Sequence, residues 1–295
     1  MKTEMKAVWN ALALGTLLAT SVACGPALAQ PAAVVEAVQA PVWVERAGRR
    51  APRAPGMELR TGDQVRTGAG SRLLMKLAEG SLVKLGENAS LHLAELKPAR
   101  DIFRGVLSVL EGAFRFTTQR IGANRRRDIN INVSQVTAGI RGTDLWGRST
   151  TERQIVCLIE GNIQVGAPGE AAVTLDQPLQ FYRREGGTTH PVAFVDTAQL
   201  GEWAKQTEIE AGKGAATRGG RWKVNLGTAD NQADALALYD QVRAAGYAAE
   251  IHPARAGDQL VYVIRIRQLP SKAEAQSLAN ALRGKHGVAE PTISL

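Results

Sequence analysis

Trp222-Lys223-Val224-Asn225-Leu226 and Tyr262-Val263-Ile264-Arg265-Ile266 are the same apolar and polar alternation written twice, forty positions apart. A helical stripe follows each in the same register: Ala235, Leu238, Tyr239 and Val242 after the first, Ala275, Leu278, Ala279 and Leu282 after the second. Period-two alternation puts Trp222, Val224 and Leu226 on one side of a strand, and spacing of i, i+3, i+4, i+7 puts one apolar face on a helix. Ser271 and Glu274 form a capping box at the start of the second helix, while Gly246 and Gly284 stand where a left-handed residue would end each helix. Short strands around 248–252 and 291–294 complete two β-α-β units. The pattern predicts an α+β domain with a four-stranded antiparallel sheet and two helices on one face.

The other sheet face is then open, and alternation assigns it Arg221, Lys223 and Asn225 from one strand and Val261, Val263, Arg265 and Arg267 from another. Lys223, Asn225, Arg265 and Arg267 offer ammonium, amide and guanidinium donors to the hydroxyl and acetamido groups of a sugar. These four are the expected glycan-binding residues. A solvated basic face is the competing reading, because long cationic side chains are ordinary on any sheet surface. A nucleic-acid ligand is not expected: RNA-reading modules of this topology stack bases on paired aromatics, and this face has none.

Residues 221–295 resemble the SPOR domain, a bacterial peptidoglycan-binding module, through W-K-V-N-L-G-T-A-D and Y-V-I-R-I-R-Q-L-P-S-K-A-E-A. Asn225 stands where the family usually has Gln, Ala229 and Leu269 where it has aromatics, and Arg267 where it has Gly. The resemblance implies binding to glycan strands that lack stem peptides, which are enriched at the division septum.

The amino terminus sets the compartment. Lys2 and Lys6 precede an apolar run over 7–24, and Ala27-Leu28-Ala29 ends at Gln30 with the small-x-small spacing of a cleavage site. The chain is therefore expected to be exported to the periplasm by a cleavable signal peptide, residues 1–29, cut after Ala29. Two alternatives are an uncleaved anchor and lipidation at Cys24, the latter with Ser21 where a lipobox normally has Leu. No other apolar run is long enough to span a bilayer, so no transmembrane helix is expected in the mature chain. Cleavage removes two of the 36 basic and one of the 28 acidic residues, leaving 34 and 27, a charge near +7. That excess suits anionic envelope polymers or lipid head groups, and part of it sits in Arg125-Arg126-Arg127. Cys157 becomes the lone cysteine, in the apolar strand 155–159, where a buried, inert thiol is expected.

Residues 42–185 read as an all-β domain, a sandwich, barrel or roll. Leu73, Met75 and Leu77, Val83 and Leu85, Leu91 and Leu93, 106–110, Ile129, Ile131 and Val133, and 155–159 are strand-length patterns. Turns at Glu79-Gly80, Gly86-Glu87-Asn88, Glu111-Gly112 and Glu160-Gly161-Asn162 separate them. G-D-Q-V-R-T-G-A-G-S-R-L-L-M-K-L-A-E-G-S-L-V-K-L-G, A-G-I-R-G-T-D-L-W-G and L-I-E-G-N-I-Q-V are similar to the FecR domain family over roughly 57–165. That family includes periplasmic parts of signal-transducing regulators, which implies an envelope partner or signal for this domain. Arg141, Gly142, Thr143 and Asp144 read as a tight turn tied down by Arg or Asp.

No catalytic constellation emerges. His92, His190, His252 and His286 are scattered without metal-ligand spacing, and the nucleophile-elbow and phosphate-cradling motifs are absent from the sequence. Neither a cofactor nor a metal is expected, and the chain is not expected to be an enzyme. Residues 196–220 read as a helix capped by Asp196 and running through Trp203 to about Glu210, followed by a flexible Gly-rich connector. Trp203 either packs on the β domain or lies on a membrane surface, which Glu202, Glu208 and Glu210 would oppose. Two functional readings remain: a peptidoglycan tether whose β domain engages a partner or signal, or an adaptor whose carboxyl-terminal domain contacts protein and no longer binds glycan.

Overall fold

The computed structural model describes residues 31–99, 101–119, 126–140 and 142–295. The expected signal peptide, its cleavage point and Cys24 lie outside the described residues, as do Arg125 and Arg141.

The amino-terminal part is all β. Its strands are β1 (Ala33–Gln39), β2 (Val42–Arg46), β3 (Arg49–Pro52), β4 (Glu58–Leu59), β5 (Gln64–Thr67) and β6 (Arg72–Leu77). There follow β7 (Leu82–Leu85), β8 (Ser90–Pro98), β9 (Ile102–Thr117), β10 (Arg126–Val133), β11 (Val136–Ile140) and β12 (Asp144–Ser149). The set ends with β13 (Arg153–Glu160), β14 (Ile163–Gly166), β15 (Val173–Leu175), β16 (Gln180–Glu185) and β17 (Thr188–Phe194). Two sheets result. One runs β1-β6-β7-β9-β12-β13-β16-β17, every pair antiparallel. The other runs β3-β2-β5-β8-β9-β10-β11-β14-β15, with β9 and β10 parallel.

Strand β9 belongs to both sheets: Phe103 to Val109 pair with β8 and β10, and Phe114 to Thr117 with β7 and β12. It turns between them at Gly112, whose φ is +89° and where a Cβ would stand 2.5 Å from Ala89. Only glycine fits both constraints. The inward residues of the two sheets form one core, including Leu73, Met75, Leu91, Leu93, Phe114, Phe116, Ile129 and Ile131.

Helix α1 (Thr197–Lys205) is capped by Asp196, whose carboxylate accepts the Gln199 N–H. Trp203 stacks on Trp146 with ring centroids 4.7 Å apart and meets Phe181 edge-on. Trp203 therefore packs on the β domain. Trp146, Cys157 and Phe181 are cross-strand neighbours on the outer side of β12, β13 and β16, so α1 covers that side. The helix ends short of Glu210 because Thr207 turns back onto the Ala204 carbonyl and the next acids leave for the sheet. Glu208 pairs with Lys84 at 2.6 Å and Arg115 at 3.3 Å, and Glu210 with Arg72 at 3.3 Å.

The segment expected as a flexible connector is fastened to both neighbours. Its strand β18 (Ala216–Thr217) pairs with β1, and Gly212, Gly214 and Ala215 donate backbone N–H groups to the Glu274 carboxylate. Glu274 therefore completes only half of the expected capping box. Ser271 Oγ accepts the Glu274 N–H at 3.2 Å, while the carboxylate serves the connector. Nothing in the spacing of Ser271 and Glu274 could reveal that competing set of donors.

The carboxyl-terminal part is the doubled unit: β19 (Trp222–Ala229), α2 (Gln232–Ala244), β20 (Glu250–Ala256), β21 (Gln259–Leu269), α3 (Lys272–Leu282) and β22 (Thr292–Ser294). Its antiparallel sheet has the order β20-β21-β19-β22. Val224, Leu226, Ile264 and Ile266 pack against Ala235, Val242, Ala275, Leu278, Ala279 and Leu282 on one face. Gly246 and Gly284 take positive φ beyond the helices, as their positions predict.

Candidate functional site

The outer face of the carboxyl-terminal sheet collects residues from four strands. In β19, Lys223 and Asn225 point away from the buried Val224 and Leu226; a bulge after Asn225 then returns Thr228 to the outer side, opposite Val263. Arg265 and Arg267 alternate with the buried Ile264 and Ile266 in β21. Arg265 lies opposite both Asn225 and Glu250, while Thr292 and Ser294 of β22 lie opposite Asn225 and Lys223. All four expected residues thus share one face, on adjacent strands.

The contacts among them are local. Glu250 Oε1 accepts from Arg265 Nε at 2.8 Å and is ion-paired with Arg267 Nε at the same distance. Lys223 Nζ donates to the Leu295 carbonyl at 2.5 Å, and Asn225 Nδ2 to Ser294 Oγ at 3.4 Å. One carboxylate thus bridges both arginines. Each guanidinium has five N–H donors, of which Arg265 gives Glu250 one, so donors and a net positive charge remain on the face. Arg267 remains 52% exposed, whereas Arg265 is 15% exposed and held against the sheet.

Sequence reasoning missed Glu250, Thr292 and Ser294 as members of this face. Alternation in β20 alone would have placed Glu250 beside His252, but its bridging role depends on the register of β20 against β21. Among the described residues no group of three or more His, Cys, Asp or Glu could hold a metal.

In the β domain, the motif residues build turns. Asp63, fully buried, accepts from Arg46 Nε at 2.6 Å, Arg46 Nη2 at 2.7 Å and the Arg60 N–H at 2.9 Å. Asp144 accepts from Arg115 at 2.9 and 2.7 Å, and the Thr143 carbonyl accepts the Thr118 N–H. The hydrogen bond to Asp63 holds the Arg46 guanidinium above its ordinary pKa, and that to Asp144 does the same for Arg115. The Asp63 pair ties its loop to β2, whereas the Asp144 pair joins strand β12 to strand β9.

Family models match both parts: FecR protein over residues 63–164 and SPOR domain over residues 219–290. The chain carries a FecR domain followed by a SPOR domain. No curated protein matches it. Two crystal structures of candidate anti-sigma factors from Parabacteroides distasonis ATCC 8503 are similar. One is 13% identical, covering 68% of this chain and 97% of that one, with a TM-score of 0.40. The other is 15% identical, covering 74% and 89%, with a TM-score of 0.39. The SPOR and FecR domains fit an envelope location, and peptidoglycan binding follows from the SPOR domain. Among the described residues no helix is long and apolar enough to cross a membrane.

Proposed function

We propose that the protein is a non-enzymatic periplasmic envelope protein, exported by a signal peptide cleaved after Ala29. Its SPOR domain holds peptidoglycan glycan strands that lack stem peptides, and its FecR domain engages an envelope partner or signal. The observation that carries this reading is the outer SPOR face: Lys223, Asn225, Arg265 and Arg267 lie on adjacent strands, opposite the face packed by α2 and α3. The donors suit sugar hydroxyl and acetamido groups, and the remaining positive charge suits an acidic strand. Enrichment at the septum follows if such strands are the ligand.

The bridging of Arg265 and Arg267 by Glu250 favours a second reading, in which the SPOR domain contacts protein as part of an adaptor. Co-sedimentation of the mature chain with amidase-treated sacculi separates the two. Retention that falls on Asn225→Ala or Arg265→Ala supports the tether; no retention supports the adaptor. Release of soluble fragments from sacculi would instead reveal an enzyme and overturn both.

A further inference from the structure

The end of the SPOR domain that carries Arg267 abuts the FecR domain, and unpaired arginines gather there. Two hydrogen bonds dock the end of α2 on β2: Trp43 Nε1 donates to the Ala244 carbonyl at 3.3 Å and the Val42 N–H to the Gly246 carbonyl at 3.2 Å. A Cβ on Gly246 would stand 2.6 Å from the Trp43 ring, so the close approach needs glycine. Around this joint, Arg50 lies 4.1 Å over the Trp43 ring and Arg243 lies 5.0 Å over that of Tyr239. Arg53 follows Pro52, which is paired opposite Trp43, and its Nε is buried without a hydrogen-bond partner. Among the described residues, Arg50, Arg53 and Arg243 form no ion pair, whereas nearby Arg46 and Arg66 each have an acid. Burial pushes the Arg53 pKa down, and the positive neighbours Arg46 and Arg243 push it further the same way, against Asp63.

Arg53 and Arg267 line the same crevice between the domains, together with Gly214, Ala216 and Tyr247. Its volume is about 20 Å³. That admits a water or one carboxylate oxygen and excludes a sugar ring. A strand lying on the outer SPOR face would therefore keep its sugars outside and reach in with a side group.

We propose that Arg53 of the FecR domain and Arg267 of the SPOR domain form a composite carboxylate subsite, making the fixed two-domain unit the glycan reader. This rests on the reading that the SPOR domain binds stripped glycan strands. Cutting the amide that joins a stem peptide to its lactyl ether frees that group's carboxylate, so a stripped strand carries an acid on each such sugar. An intact strand carries an amide there. Guanidinium groups match carboxylates in shape and charge, and a partly buried basic site strengthens the match. Discrimination for stripped strands would then arise at the domain joint, where Arg53 joins Arg267 of the sheet face.

The test titrates the full mature protein with amidase-stripped glycan strands and with the same strands after carbodiimide coupling to methylamine, which neutralises every carboxylate. The expected result is tighter binding to the acidic strands, by about tenfold. Arg53→Gln removes that preference while leaving affinity for neutralised strands unchanged, Arg53→Lys restores part of it, and Arg267→Gln weakens binding of both strands and narrows the difference between them. Equal binding of both strands by the unaltered protein overturns the proposal without needing any variant to fold. Stripped-strand binding that falls on Asn225→Ala but ignores Arg53→Gln removes the composite subsite and keeps the glycan reading. No binding of either strand removes both.

Discussion

Glu274 and Gly214, sixty residues apart, are joined by a 2.6 Å hydrogen bond from the Gly214 N–H to a carboxylate oxygen. The same carboxylate accepts from Gly212 at 2.6 Å and Ala215 at 3.0 Å, so one acid at the start of α3 fixes the chain entering the SPOR domain. Bonds to an ionised acceptor are stronger than neutral ones, and removing the acceptor strands buried N–H donors. Glu274→Ala is expected to cost roughly 3 kcal/mol of stability. Denaturant unfolding measures the loss. Trypsin should also cut after Lys213 faster in the variant, whereas an unchanged cleavage rate would show that other contacts hold the segment.

Trp203 and Trp146 form a second fastening. The stacked rings close the outer side of the FecR sheet over Cys157, so Trp203→Ala opens a hole that α1 cannot refill. A loss of about 3 kcal/mol is expected for a large aromatic cut back to Ala. The same variant should expose Cys157 to a thiol reagent under native conditions, while the unaltered protein stays unmodified until it unfolds. Reagent uptake followed by mass spectrometry checks both.

Cys157 also predicts a pH dependence. Burial pushes its thiol pKa up to about 12, above the 9.0 of an exposed thiol. Between those values the unfolded chain releases a proton that the folded chain keeps, so alkaline pH favours unfolding. The contribution is whole below pH 9 and declines as pH rises toward 12, at up to about 1.4 kcal/mol per pH unit. Cys157→Val removes this component. Its denaturant midpoint should fall less steeply than that of the unaltered chain across this range, and parallel curves would refute the assignment.

How far these features were legible depended on how local their causes are. Val224 with Ile264 and Ala235 with Ala275 repeat at a fixed offset, so the SPOR fold and its polar face could be read from periodicity. Asp196 as a cap was equally local, whereas the partners of Trp203, Trp146 and Phe181, lie far from it in sequence. The path of the FecR sheets was not, because strand β9 serves two sheets and pairs in parallel with β10, choices set by partners distant in sequence. Glu274 escaped for the same reason: its spacing from Ser271 suited a capping box, while its partners at 212–215 sit across a fold that spacing cannot express. The connector's glycines suggested freedom, but the acids between them and α1 meet Lys84, Arg115 and Arg72.

Asp63 shows the FecR motif acting on stability. Its carboxylate is fully buried and neutralised by Arg46 on one side and the Arg60 backbone on the other. Removing one partner of such a pair leaves a charge without compensation. Asp63→Ala is expected to destabilise the domain by about 1 to 3 kcal/mol, because the stranded Arg46 guanidinium is partly exposed to solvent. Asp63→Asn should cost less because it still accepts the Arg60 N–H. Thermal unfolding ranks the two variants, and an Asp63→Asn midpoint equal to that of the unaltered protein would refute a special role for the charge.

Glu250 offers the sharpest test of the sheet face because it acts on the proposed ligand residues without touching them covalently. Its carboxylate holds Arg265 and Arg267 at 2.8 Å each and cancels one of their two charges. A partly exposed surface pair contributes roughly 0 to 1 kcal/mol, so Glu250→Gln should leave the fold intact. It should also raise the charge and the number of unengaged donors on the face. If acidic glycan strands are the ligand, affinity should rise several-fold in Glu250→Gln, and the gain should shrink as salt is raised through the physiological range. Titration at two ionic strengths measures it. A protein-contact role predicts no change with glycan at either salt, so the single substitution discriminates between the two functions this face can serve.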